Sequence, residues 1–283
     1  MANVLEVLNK TKDFFEKKGI EKPRLNAEWI LAKGLACNRL DLYLRFEEVI
    51  NENTLEVLRE LVKRRSNHEP LQYILGEMPF IDLTLKIDKR ALIPRPETEE
   101  FIEKLLKFWG NNKPKNILDL GTGSGALALA LAHYCEDAEV IAVDKSTEAL
   151  ALANENAIRN NLKDRVSFLH SDWYSEVQGT FDWIISNPPY LTKNEWETAQ
   201  PEVQHFEPQQ ALVAEKEGLA DLEKILVLAQ NYLNSGGGVA LETGIAHHEA
   251  LDKIAKDLGY TQIESWKDLS GRNRYFIALL KNL

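Results

Sequence analysis

The tetrad Asn187-Pro188-Pro189-Tyr190 offers hydrogen-bond acceptors on a stiff backbone. Neither proline carries an N–H, each fixes φ near about −65°, and a residue that precedes proline is held extended. The tetrad therefore forms a rigid edge of carboxamide and carbonyl acceptors with a tyrosine ring beside it. Such an edge suits a planar –NH2 group, whose two N–H donors can be held. We expect the reaction to be methylation of that nitrogen.

A glycine-rich loop further upstream predicts a nucleotide-type cofactor. A buried strand over Asn116–Leu120 runs into Gly121-Thr122-Gly123-Ser124-Gly125, and residues 126–132 are strong helix formers. A strand, a glycine turn and a helix N-terminus together form a nucleotide-type cofactor site. A second strand, over residues 139–143, leads to Asp144, whose carboxylate is placed to accept hydrogen bonds from both ribose hydroxyls.

The glycine loop by itself fits two classes of enzyme and a plain strand–helix turn. Its Gly-x-Gly-x-x-Ala spacing also matches the dinucleotide fingerprint, so it suits a nicotinamide enzyme or an S-adenosylmethionine enzyme. Asp119, inside the strand before the glycines, favours the methyltransferase. The tetrad favours it as well, because it follows a strand over Phe181–Ser186 at the carboxyl edge, where open α/β sheets bind ligands. The expected cofactor-binding residues here are Asp119, Gly121, Thr122, Gly123, Ser124, Gly125, Asp144 and Asn187.

The surrounding elements predict an α/β protein with a doubly wound, Rossmann-like class I methyltransferase sheet. Residues 1–70 have the pattern of a small helical bundle, and residues 71–95 that of a β-hairpin linker. From residue 96 to 283, strands and helices alternate as in a doubly wound sheet. Only residues 267–273 separate the last two strands, which is too short for a helical crossover, so we expect that pair to be antiparallel.

The charge distribution and composition limit the kinds of partner that this chain is expected to bind. Residues 1–80 carry 13 Lys and Arg against 13 Asp and Glu, so the whole net charge of −10 falls on the later residues. An acidic catalytic part repels phosphate backbones, and we expect no direct nucleic-acid contact. No apolar run approaches a membrane span, no signal-peptide pattern is present, and Cys37 and Cys135 form no motif. We therefore expect a cytoplasmic monomer with no membrane contact and no metal.

Several segments of the chain resemble the motifs of a known family, and they occur in the same order as in that family. Residues 69–76 and 92–99 resemble its inter-domain signatures, 119–125 and the tetrad match its cofactor and substrate motifs, and 207–212 and 268–272 resemble later stretches. On these residues the chain resembles the HemK/PrmC family, the protein-(glutamine-N5) methyltransferases of peptide chain release factors. The tetrad alone is shared with enzymes that methylate adenine or cytosine, whereas the ordered set is far more selective.

The resemblance implies a substrate and the roles of further residues. S-adenosyl-L-methionine would be the cofactor, S-adenosyl-L-homocysteine the product, and the glutamine of a Gly-Gly-Gln loop in a release factor the acceptor. The helical part would grip the rest of that protein, and Asp172 and Trp173 would lie beside the adenine. The expected catalytic residues are Asn187, Pro188 and Tyr190. The expected substrate-binding residues are Asn187, Pro188, Pro189, Tyr190, Arg95 and Glu97.

Each of these interpretations has an alternative. A nucleic-acid amino-methyltransferase, acting on adenine N6 or cytosine N4, would use the same tetrad with Tyr190 stacked on a flipped base. A nucleotide-binding regulatory module would explain the glycine loop but leave the tetrad without a role. Asp172 and Trp173 also fit a turn residue and a core indole, and Arg95 and Glu97 also fit residues that only shape a linker.

Overall fold

The computed structural model describes residues 2–281. The chain forms two compact units. The first comprises the residues up to Glu77 together with Gln200–Phe206, and the second comprises Met78–Ala199 and the chain from Glu207 onward. This division differs from the expected ranges of 1–70, 71–95 and 96–283 chiefly in assigning the short later segment to the first unit.

The helices are α1 (Val4–Lys17), α2 (Pro23–Gly34), α3 (Glu52–Ser66), α4 (Leu71–Leu75), α5 (Pro96–Trp109), α6 (Ala126–Tyr134), α7 (Thr147–Arg159), α8 (Lys193–Glu197), α9 (Pro201–Phe206), α10 (Ala220–Ala229) and α11 (His248–Asp257). The strands are β1 (Glu77–Phe80), β2 (Leu83–Lys86), β3 (Asn116–Leu120), β4 (Glu139–Asp144), β5 (Val166–His170), β6 (Phe181–Ser186), β7 (Leu233–Glu242), β8 (Gln262–Lys267) and β9 (Asn273–Leu279).

The first unit is a helical bundle with its own apolar core. Val4, Leu8 and Phe15 form one stripe of α1 and are fully buried, as an amphipathic helix requires. Arg65 on α3 is also buried, and its guanidinium donates to Asn26 Oδ1 at 2.7 Å and pairs with Glu202 on α9. The segment Gln200–Phe206 thus supplies a charge partner inside this bundle.

The second unit contains a seven-stranded sheet in the order β5-β4-β3-β6-β7-β9-β8. The pairs among β3 to β7 are parallel, whereas β9 runs antiparallel to both β7 and β8. The predicted doubly wound α/β sheet and the antiparallel final pair are both confirmed. The central strands β3, β4 and β6 form because they are short runs of mostly apolar residues, and α6 and α7 pack on β4 and β5 while α10 and α11 pack on β7 to β9. The predicted hairpin is the separate two-stranded sheet of β1 and β2.

The strand order reverses between β3 and β6, which lie side by side although they are distant in sequence. Leu120 at the end of β3 is in register with Ser186 at the end of β6, and the Ser186 hydroxyl donates to Leu120 O at 2.6 Å. The glycine loop and the tetrad therefore leave the sheet as neighbours. This reversal is the switch point at which open α/β sheets bind their ligands.

Candidate active site

The glycine loop turns sharply because glycines occupy its left-handed positions. Gly121 has φ of 73°, and a Cβ there would meet the Trp173 ring at 3.5 Å. Gly125 has φ of 84°, and a Cβ there would come within 3.1 Å of Ala153 Cβ on α7. Larger residues at these two positions would be strained in the backbone, and at Gly125 also crowded. The loop therefore delivers the N-terminus of α6 to the switch point.

Asp119 is a fully buried carboxyl beneath this loop. Its Oδ2 accepts hydrogen bonds from Thr122 Oγ1 at 2.6 Å and from Ala128 N at 3.2 Å, which ties the loop to α6. Its Oδ1 is buried without a hydrogen-bond partner among residues 2–281. Burial, with a contribution from the Asp144 carboxylate, raises the pKa of Asp119 to about 7. A buried acceptor of this kind favours a cationic donor.

Asp144 is the last residue of β4 and holds the opposite side of the loop. Its Oδ2 accepts from Gly123 N at 2.8 Å, and its Oδ1 accepts from Ser146 N at 2.8 Å. Each carboxylate oxygen can accept more than one hydrogen bond, so both retain acceptor capacity toward ribose hydroxyls. The residue therefore both shapes the loop and presents acceptors to the cavity that it lines.

The tetrad is anchored to α5 and β7 by two residues that the sequence did not reveal. Asn187 Nδ2 donates to Thr98 Oγ1 at 3.2 Å, and Thr98 Oγ1 donates to Glu242 Oε2 at 2.8 Å. The Tyr190 hydroxyl donates to Glu242 Oε1 at 3.3 Å. Pro188 is buried, and burial together with the Glu242 carboxylate raises the pKa of Tyr190.

Arg95 and Glu97 lie at the start of α5. The Arg95 guanidinium donates to Glu207 Oε1 at 2.6 Å, and Glu207 Oε2 accepts from Ile93 N at 3.1 Å. The Glu97 carbonyl accepts a hydrogen bond from the Tyr275 hydroxyl at 2.8 Å. In this structure both residues therefore connect segments of the second unit to each other, and neither lines the cavity.

A cavity of about 300 Å³ opens at the switch point. Of the residues expected at the site, those that line it are Gly121, Thr122, Gly123, Ser124, Asp144, Asp172, Trp173, Asn187 and Pro189. Those that do not line it are Asp119, Gly125, Pro188, Tyr190, Arg95 and Glu97. Residues outside the expected set of site residues also contribute, among them Leu92, Pro94, Thr98, Lys145, Ser146 and Pro208.

The site residues that were not expected from the sequence differ in how far a sequence feature could have indicated them. Leu92, Pro94 and Thr98 fall within the family-like segment 92–99, and Pro208 falls within 207–212. The resemblance thus indicated these segments, but it did not indicate which of their residues line the cavity. Glu242 has one signal only: it is a carboxyl at the end of a buried strand, on the ligand-binding edge. Asp172 is exposed and lies 3.7 Å from Lys224 Nζ, whereas Trp173 packs against Gly121.

Residues 2–281 offer neither a cluster of metal ligands nor a membrane-spanning helix. No group of three or more His, Cys, Asp or Glu side chains within these residues is placed to hold a metal ion. No helix in the same range is both long enough and apolar enough to cross a membrane.

Both parts of the chain match families of known proteins. The PrmC N-terminal domain matches residues 6–76, and the Methyltransferase small domain matches residues 101–212. A T. thermophilus 16S rRNA N2 methyltransferase (RsmC), solved in complex with AdoMet and guanosine, has a TM-score of 0.54 at 20% identity, covering 72% of this chain and 50% of that chain. A methyltransferase from Pyrococcus furiosus has a TM-score of 0.53 at 24% identity, covering 72% of this chain and 91% of that one. These two structures share the fold.

Curated relatives extend the similarity over nearly the whole length. The release factor glutamine methyltransferase of Chlorobaculum tepidum is 39% identical over 284 residues, covering 96% of this chain and 95% of the relative. That of Haemophilus influenzae is 38% identical over 282 residues, covering 95% and 96%. With such identities across both compact units, this chain belongs to the release factor glutamine methyltransferase family.

Proposed function

We propose that this protein transfers a methyl group from S-adenosylmethionine to the side-chain amide nitrogen (N5) of the glutamine in the Gly-Gly-Gln motif of a peptide chain release factor. The observation that carries the proposal is the fixed orientation of Asn187. One N–H of its Nδ2 is donated to Thr98, which orients the carboxamide so that the acceptor Oδ1 lies on the opposite side and can be offered to a ligand in the cavity that Asn187 lines. An acceptor beside a cofactor cavity suits an amide –NH2 group, and the named relatives act on glutamine.

The residues around the cavity fit S-adenosylmethionine. Asp119 lies beneath the glycine loop rather than in the cavity wall, and its unpartnered Oδ1 would accept from a protonated amino group. Asp144 retains acceptor capacity for ribose hydroxyls, and Trp173 offers an aromatic face beside Gly121. When bound, the cofactor supplies a methyl group on a sulfonium, which is a strong electrophile. We infer that these residues bind and orient it.

The acceptor nitrogen needs positioning more than it needs a base. Its lone pair is delocalised into the carbonyl, so the Asn187 Oδ1 and the Pro188 carbonyl would hold the two N–H groups and orient the nitrogen. Acceptors aimed at a nitrogen that becomes positive stabilise the transition state more than the ground state. Transfer would form the new C–N bond as the C–S bond of the sulfonium breaks, and the methylated amide cation would then lose a proton readily to water. We assign no general base.

We further propose that the two units have different roles. Every residue that lines the cavity belongs to the second unit, and we infer that the helical unit binds the release factor outside its Gly-Gly-Gln loop. Pro189, Tyr190, Arg95 and Glu97 are proposed to contact the glutamine-bearing loop. We further propose a monomeric enzyme that acts in the cytoplasm, where termination occurs, without direct nucleic-acid contact.

The test is to ask which acceptor is labelled. The purified protein is incubated with labelled S-adenosylmethionine and, separately, with an intact release factor, the same factor with the Gly-Gly-Gln glutamine replaced by alanine, DNA and RNA. We expect one methyl group on that glutamine, located by mass spectrometry, and none on the alanine variant. Label on nucleic acid and none on protein would refute the proposal in favour of an amino-methyltransferase of bases.

A further inference from the structure

We propose that Thr98 and Glu242 are positioning residues that determine which end of the Asn187 carboxamide faces the substrate. The inference rests on the proposed function, and both residues would act through Asn187 rather than on the substrate itself. Thr98 lies in the first turn of α5 and Glu242 ends β7, and both are almost fully buried. Thr98 bonds Asn187, 89 positions away, and Glu242 bonds Thr98 across 144 positions.

The Glu242 carboxylate determines the direction of the hydrogen bonds that link it through Thr98 to Asn187. An ionised carboxylate only accepts, so the single hydroxyl proton of Thr98 must point to Glu242 Oε2, 2.8 Å away. Thr98 Oγ1 then has only lone pairs for Asn187, and it can receive Nδ2 but not Oδ1. A flipped carboxamide would set two acceptors against each other in a buried site. This relay of hydrogen bonds from Glu242 through Thr98 to Asn187 therefore selects the rotamer that presents Oδ1 to the substrate amide.

The same carboxyl also holds the far end of the tetrad. Its Oε1 accepts from the Tyr190 hydroxyl at 3.3 Å, and the Arg274 guanidinium lies 6.0 Å from the centre of the Tyr190 ring. One carboxyl on β7 thus fixes the first and the last side chain of the tetrad relative to each other. The two intervening prolines fix the backbone between them. Both the side chains and the backbone of the acceptor edge are therefore held in place.

The acid–base state of Glu242 offers a readout that a merely structural residue would lack. The charged and titratable groups around it are Glu97 on α5, Tyr190, and Arg274 and Tyr275 on β9, and burial raises its pKa to about 7. A protonated Glu242 can donate to Thr98 Oγ1, which frees the Thr98 proton and removes the selection between the two ends of Asn187. Turnover should therefore fall as the pH drops below about 7.

The test compares kcat on an intact release factor for Thr98→Val, Thr98→Ser and Glu242→Gln, with the affinity for S-adenosylhomocysteine measured by calorimetry. Valine keeps the shape of threonine and removes the hydroxyl, whereas serine keeps the hydroxyl. We expect Thr98→Val to lower kcat by about 10–100-fold, and Thr98→Ser to stay within about threefold of the wild type. Glu242→Gln should flatten the fall of kcat at acidic pH.

A double-mutant cycle decides whether Thr98 acts through Asn187. If it does, Thr98→Val should cost almost nothing further in an Asn187→Ala background. Full additivity of the two substitutions, or equal losses for Thr98→Ser and Thr98→Val, would overturn the inference. If Thr98→Val fails to fold, the pH profile of Glu242→Gln decides, and an acid limb unchanged from wild type would overturn it. A wild-type enzyme that leaves release factors unmethylated would instead refute the proposed function.

Discussion

Replacing Glu242 by glutamine should stabilise the folded protein at alkaline pH while it impairs turnover. Burial is the main cause that raises the pKa of this carboxyl from 4.5 to about 7, the Glu97 charge adds to it, and Thr98, Arg274 and Tyr190 oppose it. Glu242 therefore binds its proton more tightly in the folded than in the unfolded chain. The free energy of unfolding should fall as the pH rises from about 4.5 to about 7, and then level off.

The size of the effect follows from that difference. The rise of the Glu242 pKa from 4.5 to about 7 corresponds to about 3 kcal/mol of unfolding free energy that is missing well above pH 7. Glutamine carries no such charge, although it accepts one hydrogen bond fewer, which costs about 1 kcal/mol. Between pH 5 and pH 8.5, the stability of Glu242→Gln relative to wild type should rise by about 2–3 kcal/mol, because part of the linkage is already present at pH 5.

Urea unfolding at both pH values, for wild type and variant, measures this difference. Asp119 is present in both proteins, so its own titration cancels from the comparison. Glu136→Gln, at an exposed turn position of the same unit, is the matched control and should show no pH-dependent difference. If the free energies of wild type and Glu242→Gln run parallel between pH 5 and pH 8.5, the carboxyl is not held in a site that disfavours its charge.

Three further perturbations separate the roles of other residues. Asn187→Ala should lower kcat by roughly a hundredfold or more, while calorimetry shows a much smaller change in affinity for S-adenosylhomocysteine, because the lost acceptor acts on the charge that develops at nitrogen. Asp144→Ala should weaken that affinity by on the order of 2–4 kcal/mol, since it removes acceptors for the ribose and also releases two loop amides; unchanged affinity would move the ribose contact elsewhere. Arg65→Met should lower the free energy of unfolding by about 3 kcal/mol by leaving Glu202 and buried acceptors unpaired. Arg59→Met, which breaks an exposed pair, should cost less than about 1 kcal/mol in the same urea titration.

The sequence was sufficient for the sheet and for the two motifs at its edge. Strands such as Asn116–Leu120 and Phe181–Ser186 are short apolar runs ended by glycine or proline, and their bounds agree with the structure. The short 267–273 connection correctly required a reversed strand. These signals are local, so each can be identified from a window of about ten residues.

The relay behind the tetrad could not be found in this way. Thr98 is an ordinary residue for the first turn of a helix, and Glu242 is a single acid after an apolar run. Their meaning lies in a contact between residues 144 positions apart, which depends on the packing of α5 against the sheet edge. Likewise, no compositional feature of residues 200–206 indicates that this segment completes the helical unit rather than the unit in which it is embedded.

That discontinuity has a consequence for synthesis on the ribosome. Arg65 and Glu202 are 137 residues apart. At about 5–20 residues per second, Glu202 therefore follows Arg65 by roughly 7–30 s. During that interval the nascent helical unit carries a guanidinium without its carboxylate partner, and breaking a pair of this kind costs several kcal/mol. The N-terminal unit thus reaches its final stability only after α9 has been synthesised, and an isolated N-terminal fragment would remain permanently in the state that the nascent chain occupies only briefly.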